Sequence, residues 1–545
     1  MSVAHEPNSS WTPLVVIAIT QILLAFNIIA LKMSIDAIVV SYEAPASAVK
    51  TSIVAYSLAV ASCVMVGARV AFRFGSRRVF RTTMALFASA MLVIVISRDA
   101  LTMVLAQMLA GVAAAALAPT SALLIADNYT GEQRIQALGW LSAVRSLSLA
   151  PAFLLAGIFA TWSHWRAAFA MLLALAAVAF WLGDRLSFGS RQADIRIDTA
   201  GFVLVVLAVL LIGIGFDNLA GWGVIRARSA APFSIGALSP APFAIVTGGL
   251  LLKALVVWSR HCRAGGRAVL IAPEVIADAR ERSVLFSIFT IGAVSAAVTF
   301  LIPLYIEVVQ GRSSLHTALA MIPFTLASVG AAVWVGRVRT HPVLRTVARY
   351  GFLIVAIGLA LLGTSIRNDW SDLSVIVSMA IVGLGEGALA TLLLRLLTTD
   401  APHEHSGDVE PLCSAASHLA VAVGTAFAGA LVIGILGAMV QRELSANPQV
   451  AEGLREHLNL DGVAFVSNDR LLEILESASA QPEHISEAVR INTDVRLRAL
   501  KISFFTLAGC ALLAFIPGIR VVRRDFRLGT RADERARPGP SGQQE

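Results

Sequence analysis

PLVVIAITQILLAFNIIALKMSIDAIVV, residues 13–40, decides what kind of chain this is. Its opening apolar run is long enough to cross roughly 30 Å of hydrocarbon at about 1.5 Å per helical residue. No lysine or arginine precedes it in MSVAHEPNSS, and no small-residue cleavage site follows at signal-peptide distance. The run therefore reads as a retained membrane span rather than a removed leader. Asn27, Lys32 and Asp36 interrupt its outer part. In a bilayer each such group is costly and calls for a partner or a task.

The rest of the chain has the same character. Of 545 residues, 57% are hydrophobic and 14% charged, and the mean hydropathy of +0.76 exceeds what a soluble globular surface tolerates. Apolar segments recur at 13–34, 49–72, 82–97, 101–126, 137–160, 167–182, 200–216, 242–258, 284–309, 315–336, 350–365, 373–397, 412–440 and 502–519. The fold class read from them is all-α and integral to the membrane, with about 14 transmembrane helices. Their spacing suggests an N-terminal six-helix bundle over 1–184, a linker with two inserted helices over 185–283, a C-terminal six-helix bundle over 284–520, and a basic tail over 521–545. Loop 441–500 breaks this economy, and helical periodicity in QVAEGLREHLNL and NDRLLEILESA fits either a small external subdomain or a partly ordered loop without function.

The net charge of +8 would suggest nucleic acid in a soluble protein. Here the cations fill alternate short loops: Arg73, Arg77, Arg78 and Arg81, then Arg260, Arg263, Arg267, Arg280 and Arg282, then Arg337, Arg339, Arg345 and Arg349. That bias places these loops and both termini in the cytoplasm, in a bacterial-type inner membrane. The tail from Arg520 to Arg537 is strongly basic and ends in RPGPSGQQE, which reads as disordered, with contact to anionic lipid as an alternative role. The expected partners are thus the bilayer and a small-molecule substrate, with no nucleic acid. Cys63, Cys413 and Cys510 fall in apolar runs and Cys262 in a basic loop, which gives no disulfide or metal framework. No metal-ligand cluster, nucleophile elbow or phosphate-binding glycine loop appears in a suitable context, so neither an enzyme nor a cofactor is expected.

Ionisable groups inside the segments are the candidates for function, because each costs on the order of 3 kcal/mol at the bilayer centre. Glu386, between glycines in VGLGEGALAT, is the first choice for proton coupling. Glu307, near the outer end of the ninth segment, is the second, with partial solvation expected there. Arg145 lies near the middle of the fifth segment, where transporter sites commonly lie. Lys32 and Asp36, four apart, would share a helix face and neutralise each other; alternatively Lys32 snorkels to water or meets substrate. Lys253 is expected to snorkel, His418 to pack, Tyr56 to line a cavity, and Trp162 and Trp165 to anchor at the interface.

Particular spacings add a family likeness. ARVAFRFGSRRVF, residues 68–80, resembles the signature loop between spans two and three of the major facilitator superfamily, G-x-L-x-D-R-x-G-x-R-R. Arg73, Gly75, Arg77 and Arg78 match it, whereas Ala68 stands at the first glycine and Phe72 at the aspartate. The resemblance implies a conformational latch made by these four residues. VAYSLA around Tyr56, LAPTSALLIAD around Pro119, GEQR ending at Arg134, HWRAAF around Trp165, and IPLYIEVVQG followed by Ala318 and Pro323 look like the fourteen-span drug:proton antiporter branch. Against the family's first-span motif, Asn27 replaces Asp, Lys32 replaces Asn and Asp36 replaces Pro. In the fourth span Gln107 replaces Arg, and Glu307 and His418 each replace Gln. The glycine-rich motif of the fifth span survives chiefly as Pro151, with Gly139 and Gly157 nearby and Arg145 added.

The likeness implies two bundles around a central cavity opened alternately to each side, driven by the proton gradient without a cofactor. It implies proton-coupled export of small amphipathic or lipophilic compounds; the residues expected to serve it are Glu386 and Glu307 for the proton, with Arg145, Asn27, Lys32, Asp36, Tyr56 and Gln107 in the substrate cavity. A proton symporter, an exporter of lipid-like substrates, and a transport-inactive sensor or scaffold stay open as alternatives.

Overall fold

The computed structural model describes residues 10–44, 46–130, 133–134, 136–137, 140–141, 144, 148–187, 197–228, 231–234, 236–276, 279–338, 340–367, 373–400, 406–446 and 482–523. The fold is all-α and integral to a membrane. Among the described residues, thirteen helices are long and apolar enough to cross a bilayer, and the shorter apolar helix Leu149–Trp162 lies where the remaining expected span falls.

The first span is α1, Thr12–Lys32, begun by a proline in its first turn and ended by Lys32. The chain breaks at Met33 and Ser34 before the short α2, Ile35–Tyr42. Lys32 and Asp36 therefore lie on different helices, and the shared-face pairing expected of them does not form. Next come α3, Ala46–Phe74, and α4, Ser76–Ile96. They join at Gly75, whose φ of 90° and ψ of 139° favour glycine strongly, which accounts for this one position of the signature loop. Asp99 caps α5, Ala100–Asn128, by accepting the Thr102 N–H at 2.8 Å. α6 is Leu149–Trp162 and α7 is Trp165–Leu182. α8, Thr199–Asp217, and α9, Pro240–Ala264, follow.

The later helices begin with α10, Ala279–Pro303, which passes at Pro303 into a π-helical turn, Leu304–Val309. Such turns re-aim side chains and cluster at functional sites. Then come α11, Ser314–Ala320, α12, Ile322–Arg337, α13, His341–Ser365, and α14, Leu373–Asp400. The last two are long: α15, Ser406–Ala446, and α16, Pro482–Arg523. They correct the expected sixty-residue loop, since only 447–481 separates them. Hydropathy marks the most apolar part of a helix, but backbone hydrogen bonding continues beyond it; Val495 and Ala499 of α16, ahead of the expected segment, pack on Leu436 of α15. QVAEGLREHLNL, NDRLLEILESA and the tail beyond 523 lie outside the described residues.

Burial is arranged for lipid rather than water. Along α5, Leu101, Leu105, Met108 and Val112 are exposed at helical spacing, whereas Gln107, Ala110, Gly111 and Ala114 are buried. With an apolar outside and a mixed inside, the polar groups point to the interior. α8 packs against both α3 and α15. The Lys50 ammonium of α3 reaches the Asp217 carboxylate at the end of α8 at 2.9 Å, and its stem crosses Gly429 of α15, where a side chain would collide with it. Phe216 meets Phe427 edge-on, with ring centroids 6.5 Å apart.

Candidate functional site

α1 and α5 are joined by buried amides. Gln21 Nε2 donates to Ser121 Oγ at 3.0 Å. Asn27 Nδ2 donates to Gln107 Oε1 at 2.8 Å, and Gln107 Nε2 returns a bond to Asn27 Oδ1 at 3.2 Å. Both residues are fully buried. Two departures from the family motifs that look unrelated in the sequence are thus one unit, in which a neutral amide pair stands where the motifs carry Asp and Arg. Removing only one of those charges would have stranded the other in a dry interior.

At the end of α1, Lys32 is 5% exposed. Its Nζ donates to Thr299 Oγ1 of α10 at 2.7 Å. Snorkelling to water, one of the expected outcomes, does not occur, because α1 is packed against α10 at this level. The Thr299 hydroxyl lies 2.9 Å from the Ser295 carbonyl one turn earlier.

Ser295 also stands beside Glu386 of α14, and the Ser328 hydroxyl of α12 donates to Glu386 Oε2. Lys32 and Glu386 thereby reach adjacent turns of α10, one from a helix before residue 184 and one from a helix after 284. The setting of Glu386 follows from its glycines. Gly383 and Gly387 lie four apart and face α12 so closely that a Cβ on either would overlap the backbone of Phe324 or Ser328. This brings the Ser328 hydroxyl within reach of the carboxylate.

Glu307 sits in the π-helical turn against α2. It is 1% exposed, which corrects the expected partial solvation, because α2 covers it. Neither carboxylate oxygen has a hydrogen-bond partner. Asp36, Thr317 and Ser314 stand nearby without reaching hydrogen-bond geometry. Among the described residues, no cation pairs with Glu307 or Glu386. Tyr56 is buried on α3, with its ring 6.3 Å from that of His418 on α15. Arg145 lies outside the described residues.

The signature loop makes its contacts differently from the expected latch. Arg77 and Arg81 both pair with Asp184, at 3.3 and 2.5 Å, within the helices before residue 185. Arg73 and Arg78 are exposed, with Arg73 over the neighbouring Phe74 ring. Beside this loop, Arg69, one turn earlier on α3, crosses to the later helices and holds Asp408 at the start of α15 at 2.7 Å. Sequence reading missed both partners; the available signal was an arginine at the end of one segment and an aspartate at the start of another. It also missed Arg496, which is buried beside Tyr305 and had been assigned to a loop. Trp165, expected at the interface, is buried between Tyr42 and Phe169, while Trp162 is 74% exposed.

Comparison with known proteins agrees with this architecture. The sequence profile described as Major Facilitator Superfamily matches residues 17–425. The chain is 24% identical to the probable actinorhodin transporter of Streptomyces coelicolor, covering 82% of this chain and 78% of that protein. It is 24% identical to the multidrug efflux pump LfrA of Mycolicibacterium smegmatis, covering 88% and 92%. Its fold is similar to a crystal structure of a bacterial homolog to the human lysosomal transporter Spinster, inward-facing and unoccupied. There the TM-score is 0.60 at 13% identity, covering 94% of this chain and 99% of that one.

Proposed function

The chain belongs to the major facilitator superfamily, and from that premise we propose that it is a proton-coupled exporter of small amphipathic or lipophilic compounds. Membership makes it a multi-span transporter of small molecules rather than an enzyme. Such transporters generally run on ion gradients without a bound cofactor. Export is supported by relatives named as a multidrug efflux pump and, less directly, as a probable actinorhodin transporter.

In this reading the chain works as two six-helix halves, 1–184 and 284–520, with two inserted helices between them in 185–283 and both termini in the cytoplasm of an inner membrane. The halves rock about a central site, so that one face opens as the other closes. Asn27, Gln107, Lys32, Asp36 and Tyr56 form the substrate side of that site, joined by Arg145 from the segment outside the described residues. Arg73, Gly75, Arg77 and Arg78 shape the loop beside which Arg69 and Asp408 form the latch.

The observation that carries the coupling is Glu386, a membrane-embedded carboxylate that reaches hydroxyls and, among the described residues, no cation. The Ser328 hydroxyl can accept from the protonated acid as well as donate to the carboxylate, so the same contact serves both forms. The protonated acid is stable when the halves close around it. When the site opens to the cytoplasm and substrate enters, the O–H gives its proton to water, and the two ligands thus favour different states. Glu307 offers a second proton-holding carboxylate where α2 meets the π-helical turn.

Reconstituted protein in vesicles with an imposed pH gradient tests this against a compound panel. Glu386→Gln should abolish accumulation driven by the gradient while leaving downhill movement. Gradient-driven accumulation that persists in the Glu386→Gln, Glu307→Gln double variant would overturn the coupling. Movement of substrate in the same direction as protons would replace export with symport.

A further inference from the structure

We infer that the substrates include amphipathic organic acids, whose anionic oxygen pairs with the Lys32 ammonium beside Thr299. This rests on the reading of the chain as a small-molecule carrier and adds the chemical class that its site selects.

Lys32 is an incompletely satisfied buried cation. Of its three N–H donors, one goes to Thr299 Oγ1 at 2.7 Å. The Thr299 hydroxyl is itself directed to the Ser295 and Ala296 carbonyls, at 2.9 and 3.2 Å. It therefore accepts from the ammonium as a neutral dipole and does not balance its charge. No carboxylate among the described residues lies within ion-pairing distance of Nζ. Asp36 is separated from it by the break after α1, and Glu386 is held by Ser328 and Ser295 on the neighbouring turn. The carbonyls at the end of α1 favour a cation, but they amount to only roughly half an elementary charge.

The position of Lys32 makes this deficit useful. It lies where α1 of the earlier helices meets α10 of the later ones, a contact that must part when the halves separate. Leu31 and Met33 on either side are fully buried. Parting would expose the ammonium beside the Thr299 hydroxyl, with the apolar Leu31 and Met33 flanking it in the chain, a surface complementary to an acid headgroup on an oily body. A carboxylate or enolate oxygen accepting the free N–H donors would supply both the charge and the hydrogen bonds that the protein does not.

The test is direct binding to the full-length protein in detergent, read by ligand-induced thermal shift, so that it does not depend on transport. The probes are amphipathic carboxylic acids, each paired with its methyl ester. Wild type should bind each acid more tightly than its ester by about tenfold or more. Lys32→Met should erase that ratio, and Lys32→Arg, which keeps the charge, should retain most of it. An acid preference that survives Lys32→Met, or wild type showing no acid preference at all, would overturn the inference. Failure of the exporter reading would appear separately, as acid binding without gradient-driven movement in vesicles.

Discussion

Asn27 and Gln107 exchange a donor and an acceptor in both directions, linking α1 to α5 by two buried hydrogen bonds. The pair is neutral and self-satisfied, so the two positions are coupled energetically. Asn27→Asp alone would place an unpaired carboxylate in a dry interior, and Gln107→Arg alone an unpaired guanidinium; each should cost about 3–5 kcal/mol. Combined, they should recover most of that loss. A double-mutant cycle by thermal unfolding of detergent-purified protein checks this, and additive single effects would show that the residues act independently.

Lys50 and Asp217 should be unequal partners. Asp217 ends α8, and Lys50 reaches both its carboxylate and its backbone carbonyl, each at 2.9 Å. Asp217→Ala leaves a buried ammonium with the carbonyl alone and should cost about 3 kcal/mol. Lys50→Met should cost clearly less, because it removes the buried charge and keeps a stem of similar length across Gly429. Equal losses measured by denaturation would contradict this asymmetry.

For Arg69 and Asp408 the expected effect is conformational. Both side chains are partly exposed, so the pair contributes about 1 kcal/mol or less to overall stability. It nonetheless ties the end of α3 to the start of α15. Asp408→Asn should raise the reactivity of a cysteine introduced at this end of the bundle severalfold with little change in melting temperature, and the exchanged pair Arg69→Asp, Asp408→Arg should lower it again. Unchanged labelling in Asp408→Asn would remove the latch.

The contrast among these sites shows what the sequence could reveal. Long apolar segments betray spans because the bilayer sets their length, and Gly75 stands out because its φ of 90° excludes most side chains. Asn27 and Gln107 are 80 residues apart, and Arg69 and Asp408 are 339 apart. No local pattern reports such pairings. The break after Lys32 carries neither proline nor glycine, so an uninterrupted helix was the natural reading, and it put Lys32 and Asp36 on one face. The burial of Glu307 depends on that same break, since it is the reoriented α2 that covers the π-helical turn.

Glu307 leads to the sharpest expectation about the outer closure. Its carboxylate is buried without a hydrogen-bond partner, close to Asp36 on the facing α2. In the proposed carrier, α2 closes over the turn with a proton on Glu307, which spares the facing carboxylates of Glu307 and Asp36 their mutual repulsion. Glu307→Gln is neutral at every pH and nearly the same shape. It should hold the closed arrangement more firmly, raising the melting temperature by a few degrees, and slow gradient-driven exchange by about tenfold, because the step that releases the proton is gone. A variant that melts earlier than wild type, or exchanges substrate at the wild-type rate, would show that the Glu307 carboxylate does not govern this closure.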